Sequence, residues 1–191
     1  MKFKAISITI CIVYLGYLLM NNIQIDNTIS IVGINKYSYQ LDILKSNNHL
    51  DMFLYKMAYY ESRNNWRITN DSGYIGKYQF GRSALKSTGF SYVNSIKFKV
   101  NPDIWPEEQQ DIAMIRLLKK NEINLDFYIS KYNNTYLNDV YITKSGLLAA
   151  AHLAGVSNVK KYLNSNGTHN CKDIYGTTIE KYLKIFKNYI L

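Results

Sequence analysis

The chain has 191 residues, of which 47% are hydrophobic and 19% are charged. This length suits one ordinary domain with a short appendage, and the composition excludes an intrinsically disordered chain. The formal net charge of +9 predicts an anionic partner, but the lysines are scattered and no nucleic-acid-binding motif occurs, so we expect no nucleic acid. Cys11 and Cys171 are too few for a zinc cluster, and we expect neither a metal nor another cofactor.

The N-terminus has the pattern of an export signal. Lys2 and Lys4 precede sixteen mostly apolar residues, 5–20, and the chain then becomes polar. We therefore predict a signal peptide or a membrane anchor over residues 1–22. No clear cleavage site follows, so attachment to the inner membrane through an uncleaved segment stays open. In both cases the remainder is expected on the far side of the membrane, in the periplasm or cell envelope or secreted.

The rest of the chain predicts a connector over 23–48 and a single, mainly α-helical domain over 49–191, with a small β or irregular lobe. The turn at Asn70–Gly73 predicts a short hairpin or ordered loop between Trp66 and Phe80. Apolar periodicity and capping signals predict helices at 50–62, 82–88, 106–120, 125–132 and 143–153, with Thr143 as a cap and Gly155 as an exit. Thr177 and Glu180 have capping-box spacing. They predict a final amphipathic helix with these residues inward: Ile179, Tyr182, Leu183, Phe186 and Ile190.

The position of Glu61 makes it a candidate acid. Leu50, Leu54, Met57 and Glu61 are spaced by four, three and four residues, so the carboxyl group continues the inward apolar stripe of the first helix. Burial and the negative end of the helix dipole both disfavour its ionised form, as a general acid requires. The alternative is a surface carboxylate that pairs with Arg63 or Arg67.

Three motifs around Glu61 occur in a characteristic order. They are Glu61-Ser62, the Gly-x-x-Gln sequence Gly76–Gln79 and the helical segment Ala151–Gly155, and a weaker match covers Thr178–Tyr182. With this order, residues 50–188 resemble the lysozyme-like superfamily, in particular the soluble lytic transglycosylase (SLT) type. The resemblance implies an α+β lysozyme-like domain that binds the glycan strands of peptidoglycan.

The implied activity is cleavage of the β-1,4 bond between N-acetylmuramic acid and N-acetylglucosamine, with Glu61 as the catalytic general acid and base. A lytic transglycosylase closes a 1,6-anhydro ring, whereas a lysozyme-type hydrolase adds water, usually with a second carboxylate. Asp71, Asp103 and Asp111 are the candidates for the latter; Asp71 is also an ordinary turn residue, and we favour the lyase. The substrate-binding residues implied by the motifs are Ser62, Tyr74, Gly76, Tyr78, Gln79, His152 and Tyr182.

The third motif departs from the family. His152 stands where the family has tyrosine and Leu153 where it has asparagine, which removes an amide from the usual hydrogen-bond pattern. Core packing is an equal explanation for Tyr182 and the preferred one for Phe80. The alternative function is a non-catalytic module of the same fold that binds peptidoglycan or assembles an envelope complex.

Overall fold

A computed structural model describes residues 48–173 and 176–191. The predicted signal peptide or membrane anchor, residues 1–22, lies outside this part of the chain. The predicted connector, residues 23–48, also lies outside it except for residue 48. The predicted mainly helical architecture is confirmed. Within the described ranges, no helix is long and apolar enough to cross a membrane. The elements are α1 (48–62 as far as it is described), α2 (Arg82–Ser87), α3 (Ser95–Val100), a 3-10 helix (Pro102–Ile104), α4 (Glu107–Tyr132), β1 (Thr135–Leu137), β2 (Val140–Ile142), α5 (Lys144–Ala154), α6 (Val156–Asn164) and α7 (Ile179–Ile185).

Helix α1 buries the stripe that its sequence predicts. Phe53, Leu54, Met57 and Ala58 belong to the hydrophobic core. The helix stops after Ser62, because the next two residues, 63 and 64, take positive φ angles of 57° and 61° and turn the backbone into the left-handed region. Glu61 is therefore held in the last turn of α1.

Helix α4 is one continuous helix of 26 residues, so the prediction of two helices, 106–120 and 125–132, was wrong. The sequence between Glu107 and Tyr132 holds no proline or glycine, and Asn121, which lies in the predicted break, is buried against the core. Pro106 sits at the N-cap and two acidic residues occupy the first turn, where the helix dipole favours negative charge. Its N-terminal half thus reaches the loop around residue 76.

Helix α5 is the centre of the domain, and seven of its eleven residues are buried. The predicted cap is confirmed, since Thr143 Oγ1 accepts a hydrogen bond from the Gly146 amide over 3.1 Å. Gly146 also permits a close approach of α7, because a Cβ atom there would lie only 3.0 Å from the Leu183 carbonyl oxygen. Ser145 Oγ donates to the Phe186 carbonyl over 2.6 Å, which satisfies the end of α7.

Two small β features accompany the helices. The predicted loop between Trp66 and Phe80 is ordered by isolated antiparallel bridges, which pair Ile75 with both Thr69 and Phe80. Strands β1 and β2 form an antiparallel hairpin that the sequence analysis missed, as it missed α3 and α6. The final helix begins after Thr178, and it ends at Ile185. Ile190 therefore lies beyond it and is exposed, contrary to the prediction.

Candidate active site

Glu61 lies where α1 ends, and its side chain is mostly buried. Only 15% of the side-chain surface is exposed, which leaves the carboxyl group within reach of a ligand but largely withdrawn from water. The Tyr182 hydroxyl donates a hydrogen bond to Glu61 Oε1 over 2.6 Å, and Oε2 has no hydrogen-bond donor among the described residues. The described residues therefore fix one carboxyl oxygen and leave the other without a donor.

Tyr182 is placed by α7, whose N-cap Thr178 accepts a hydrogen bond from the Lys181 amide over 3.1 Å. The tyrosine ring is buried and packs against Phe186 with a centroid distance of 5.3 Å. Burial, followed by the nearby charge of Glu61, raises the pKa of the Tyr182 phenol far above its usual range. The hydroxyl thus stays protonated and remains a hydrogen-bond donor to the acid.

His152 approaches the same carboxyl oxygen from α5. Its Nε2 lies 3.8 Å from Glu61 Oε1 and 2.9 Å from the Tyr78 carbonyl oxygen. Because a carbonyl oxygen only accepts, Nε2 carries a hydrogen and donates it to Tyr78. His152 Nδ1 is buried and has no hydrogen-bond partner among residues 48–173 and 176–191. The Phe80 ring packs against the imidazole edge to face, at a centroid distance of 5.9 Å.

The turn Gly76–Gln79 joins the two helices that carry Glu61 and His152. Ser62 Oγ donates to the Lys77 carbonyl over 2.7 Å, and the next carbonyl in the turn receives the histidine hydrogen bond. Gln79 has a φ angle of 50°, and its Nε2 donates to the Gly76 carbonyl over 2.9 Å. The two motifs that are 15 to 18 residues apart in sequence therefore meet beside the acid.

Two residues predicted to bind substrate serve the fold instead. The Tyr78 side chain has no exposed surface, and its hydroxyl donates to Asp111 Oδ1 over 2.6 Å, so it cannot line an open groove. Burial and this hydrogen bond raise the Tyr78 pKa far above its usual range. Ser62 is also buried, and its hydroxyl is used by the turn. Tyr74, in contrast, is exposed, and its ring covers Gly81.

The surface-pair alternative for Glu61 is wrong. Arg67 forms an ion pair with Asp103 over 3.1 Å, and the Arg63 guanidinium lies over the Tyr59 ring at 4.4 Å from its centroid. Both cations therefore have other partners. Glu61 instead accepts a hydrogen bond from the Tyr182 hydroxyl and lies 3.8 Å from the His152 imidazole.

The three candidates for a second carboxylate differ in their surroundings. Asp71 is exposed in a turn, Asp103 pairs with Arg67, and Asp111 accepts hydrogen bonds from both Lys77 Nζ and the Tyr78 hydroxyl.

The sequence analysis missed Asp173, whose charge contributes to the raised pKa of Tyr182. Its Oδ1 accepts a hydrogen bond from the Thr177 amide over 2.7 Å.

In the part of the chain that the structure describes, no group of histidine, cysteine, aspartate and glutamate side chains is arranged to hold a metal ion. An open, tyrosine-rich groove follows the outward face of α1, and Glu61 is not among its lining residues, which are Asp51, Met52, Tyr55, Lys56, Tyr59, Tyr60 and Tyr189. The candidate chemistry therefore belongs to the cluster around Glu61.

Comparison with protein-family models, curated proteins and solved structures finds no match for this chain. The feature that indicates a function is therefore the cluster of Glu61, Tyr182, His152 and the turn Gly76–Gln79.

Proposed function

We propose that this chain is a lysozyme-like peptidoglycan-cleaving enzyme that cuts the β-1,4 bond between N-acetylmuramic acid and N-acetylglucosamine. The observation that carries the proposal is the geometry of Glu61: a mostly buried carboxyl group with Oε1 held by Tyr182 at 2.6 Å and Oε2 without a protein donor among the described residues. Glycosidic bonds break through an oxocarbenium-like transition state, which requires a proton on the departing oxygen. Glu61 supplies that proton.

The surroundings of Glu61 support both halves of the reaction. After the proton has been given to the leaving oxygen, the carboxylate charge is stabilised by the Tyr182 hydroxyl, which donates to it. The same carboxylate then accepts a proton from the muramyl 6-hydroxyl as the 1,6-anhydro ring closes. Asp103 and Asp111 are engaged by other residues, and Asp71 lies in an exposed turn. These positions favour the single-carboxylate route of a lytic transglycosylase over a hydrolase that takes a second acid from this set.

The proposal includes a location and a partner. The substrate is the glycan strand of peptidoglycan, and the export pattern at the N-terminus favours the periplasm or the cell envelope. The net charge of +9 suits a wall rich in carboxylates, because it raises the local concentration of an anionic polymer. Tyr74 is an exposed aromatic ring that is available to pack on the C–H face of a sugar.

The test is mass spectrometry of the fragments that the purified chain releases from isolated sacculi. An anhydro product is one water lighter than a hydrolysed product, so one spectrum reports both activity and reaction type. Glu61→Gln should lower the rate by about a hundred- to ten-thousand-fold, the usual contribution of a general acid. Glu180→Gln is the matched control, because Glu180 pairs with Lys184 at the surface and should be replaceable without loss.

The same experiment addresses the alternative of a non-catalytic module. Wild type and Glu61→Gln would then both sediment with sacculi, and neither would release fragments. Equal release by the two proteins would also overturn the assignment of Glu61 as the acid.

A further inference from the structure

Gln110 is a fully buried amide that binds only the backbone of other segments. Its Oε1 accepts from the Lys77 amide over 2.6 Å, and its Nε2 donates to the carbonyl oxygens of Trp66 at 3.0 Å and Trp105 at 2.9 Å. A buried amide destabilises a fold unless its polar atoms are paired, and here both hydrogens and the oxygen have partners. One side chain thus connects α4 to both ends of the loop that leads to the candidate site.

The absence of a side chain at Gly76 leaves room for this amide. A Cβ atom at Gly76 would lie 2.4 Å from Gln110 Oε1 and 2.8 Å from its Cδ, far inside van der Waals contact. Its φ angle of 76° is also one that residues with side chains rarely adopt. The glycine of the Gly-x-x-Gln motif therefore permits contact with a protein amide on the α4 side of the turn.

The turn that Gln110 holds is the one that contacts the neighbours of Glu61. Lys77 gives its N–H to Gln110 and accepts the Ser62 hydroxyl at its carbonyl, and the next carbonyl, of Tyr78, accepts from His152. A displacement of the Lys77 peptide would therefore disturb both the Ser62 contact at the end of α1 and the His152 contact on α5.

We propose that Gln110 is a positioning residue for the reaction of Glu61: it fixes the turn Gly76–Gln79, and through that turn it fixes Ser62 and His152 beside the acid. This inference rests on the proposed function for its kinetic part. Its structural part, the coupling between Gln110 and His152, stands on the contacts alone.

The test replaces Gln110 by methionine, which has a similar length and no hydrogen-bonding amide. Gln109→Met is the matched control, because Gln109 is the neighbouring residue and its Oε1 binds only the exposed Tyr92 hydroxyl, at 3.0 Å. We expect Gln110→Met to lower kcat for fragment release by about tenfold to a hundredfold, as small misplacements of catalytic groups do, with KM changed less than about twofold. Gln109→Met should keep the wild-type kcat.

Two measurements on the folded proteins make the test independent of activity. In Gln110→Met, hydrogen exchange at the Lys77 amide should accelerate, and the NMR signal of the His152 Nε2 hydrogen should shift, while Gln109→Met leaves both unchanged. An unchanged His152 signal in folded Gln110→Met overturns the proposal, as does an unchanged kcat in an active enzyme. If the wild type releases no fragments, the proposed function fails and these two measurements still decide the coupling.

A second variant covers the case in which Gln110→Met does not fold. Gln110→Asn keeps the amide but is shorter by one methylene group, so it retains donors and acceptor at a displaced position. It should shift the same His152 signal and accelerate exchange at the Lys77 amide. Wild-type values for both in folded Gln110→Asn would contradict the proposal.

Discussion

The loop between Trp66 and Phe80 and the hairpin Thr135–Ile142 are two short β features that are stabilised in different ways. The hairpin has a ladder of its own, which pairs Thr135 with Ile142 and Leu137 with Val140. The loop has only isolated bridges and depends on side chains from elsewhere: Ser62 on α1, Gln110 on α4 and His152 on α5. The loop conformation is therefore coupled to side chains of three helices. The hairpin combines its own ladder with two hydrogen bonds between Asn138 and Asn166. A site that needs several groups at fixed relative positions benefits from a loop that is bound by side chains of several helices.

The largest effect is expected outside both regions, at the Tyr182 hydroxyl on α7 that binds Glu61. Tyr182→Phe removes the hydrogen bond and keeps the ring against Phe186. A hydrogen bond to a charged group contributes about 1.5–3 kcal/mol, so fragment release should slow by about tenfold to a hundredfold. The matched control is Tyr162→Phe, which changes a buried tyrosine that does not bind Glu61. Equal rates for Tyr182→Phe and wild type would contradict a role for this hydroxyl.

An intermediate effect is expected on stability in alkali, because Tyr78 and Tyr182 have raised pKa values in the folded chain. The unfolded chain releases these protons near pH 10.0, the ordinary value, while the folded chain retains them. The stabilisation is complete below that pH and is lost as the pH rises above it, by about 1.4 kcal/mol per pH unit for each tyrosine.

Denaturant unfolding at several pH values from neutral to strongly alkaline measures this loss. The double variant Tyr78→Phe/Tyr182→Phe should show a shallower decline in the free energy of unfolding than wild type, even though it starts from a lower stability. Parallel declines in the two proteins would show that these phenols do not govern the alkaline transition.

The smallest effect is expected in the hairpin. Tyr136 is exposed and pairs across the strands with Tyr141 at a centroid distance of 5.0 Å. Tyr136→Thr should cost only about 0.5 kcal/mol of stability, typical of a cross-strand pair, and should leave fragment release unchanged. A substantial loss of activity would mean that the hairpin also contributes to the site, and the contrast between the two regions would not hold.

The sequence predicted those parts of the structure that depend on local signals. The stripe ending at Glu61 predicted the burial of α1, and Thr143 and Gly155 marked both ends of α5. The apolar spacing also misplaced the end of the last helix. Ile190 fits the helical spacing of the inward residues, but α7 ends at Ile185 and Ile190 is exposed. They also divided α4, because the polar run around Asn121 resembles a connection when its burial is unknown.

Contacts between distant segments could not be derived in this way. The sequence offered Tyr78 as a groove residue, but its partner Asp111 lies 33 residues away, and periodicity does not report such a pairing. Gln110 did carry a signal, because it stands in the apolar stripe of α4 with Ala113, Met114 and Leu117. An amide in such a stripe must find buried partners, although the sequence does not tell which ones.

The close contact between α5 and α7 at Gly146 has a consequence for the dimensions of the site. His152 and Tyr182, which approach the same oxygen of Glu61, are carried by these two helices. The separation of α5 and α7 is limited at residue 146, well before His152 along α5, where a Cβ atom would lie 3.0 Å from the Leu183 carbonyl oxygen. A side chain at this position requires the two helices to move apart by a few tenths of an ångström, and we expect that movement to enlarge the space around Glu61 without changing any group in contact with it.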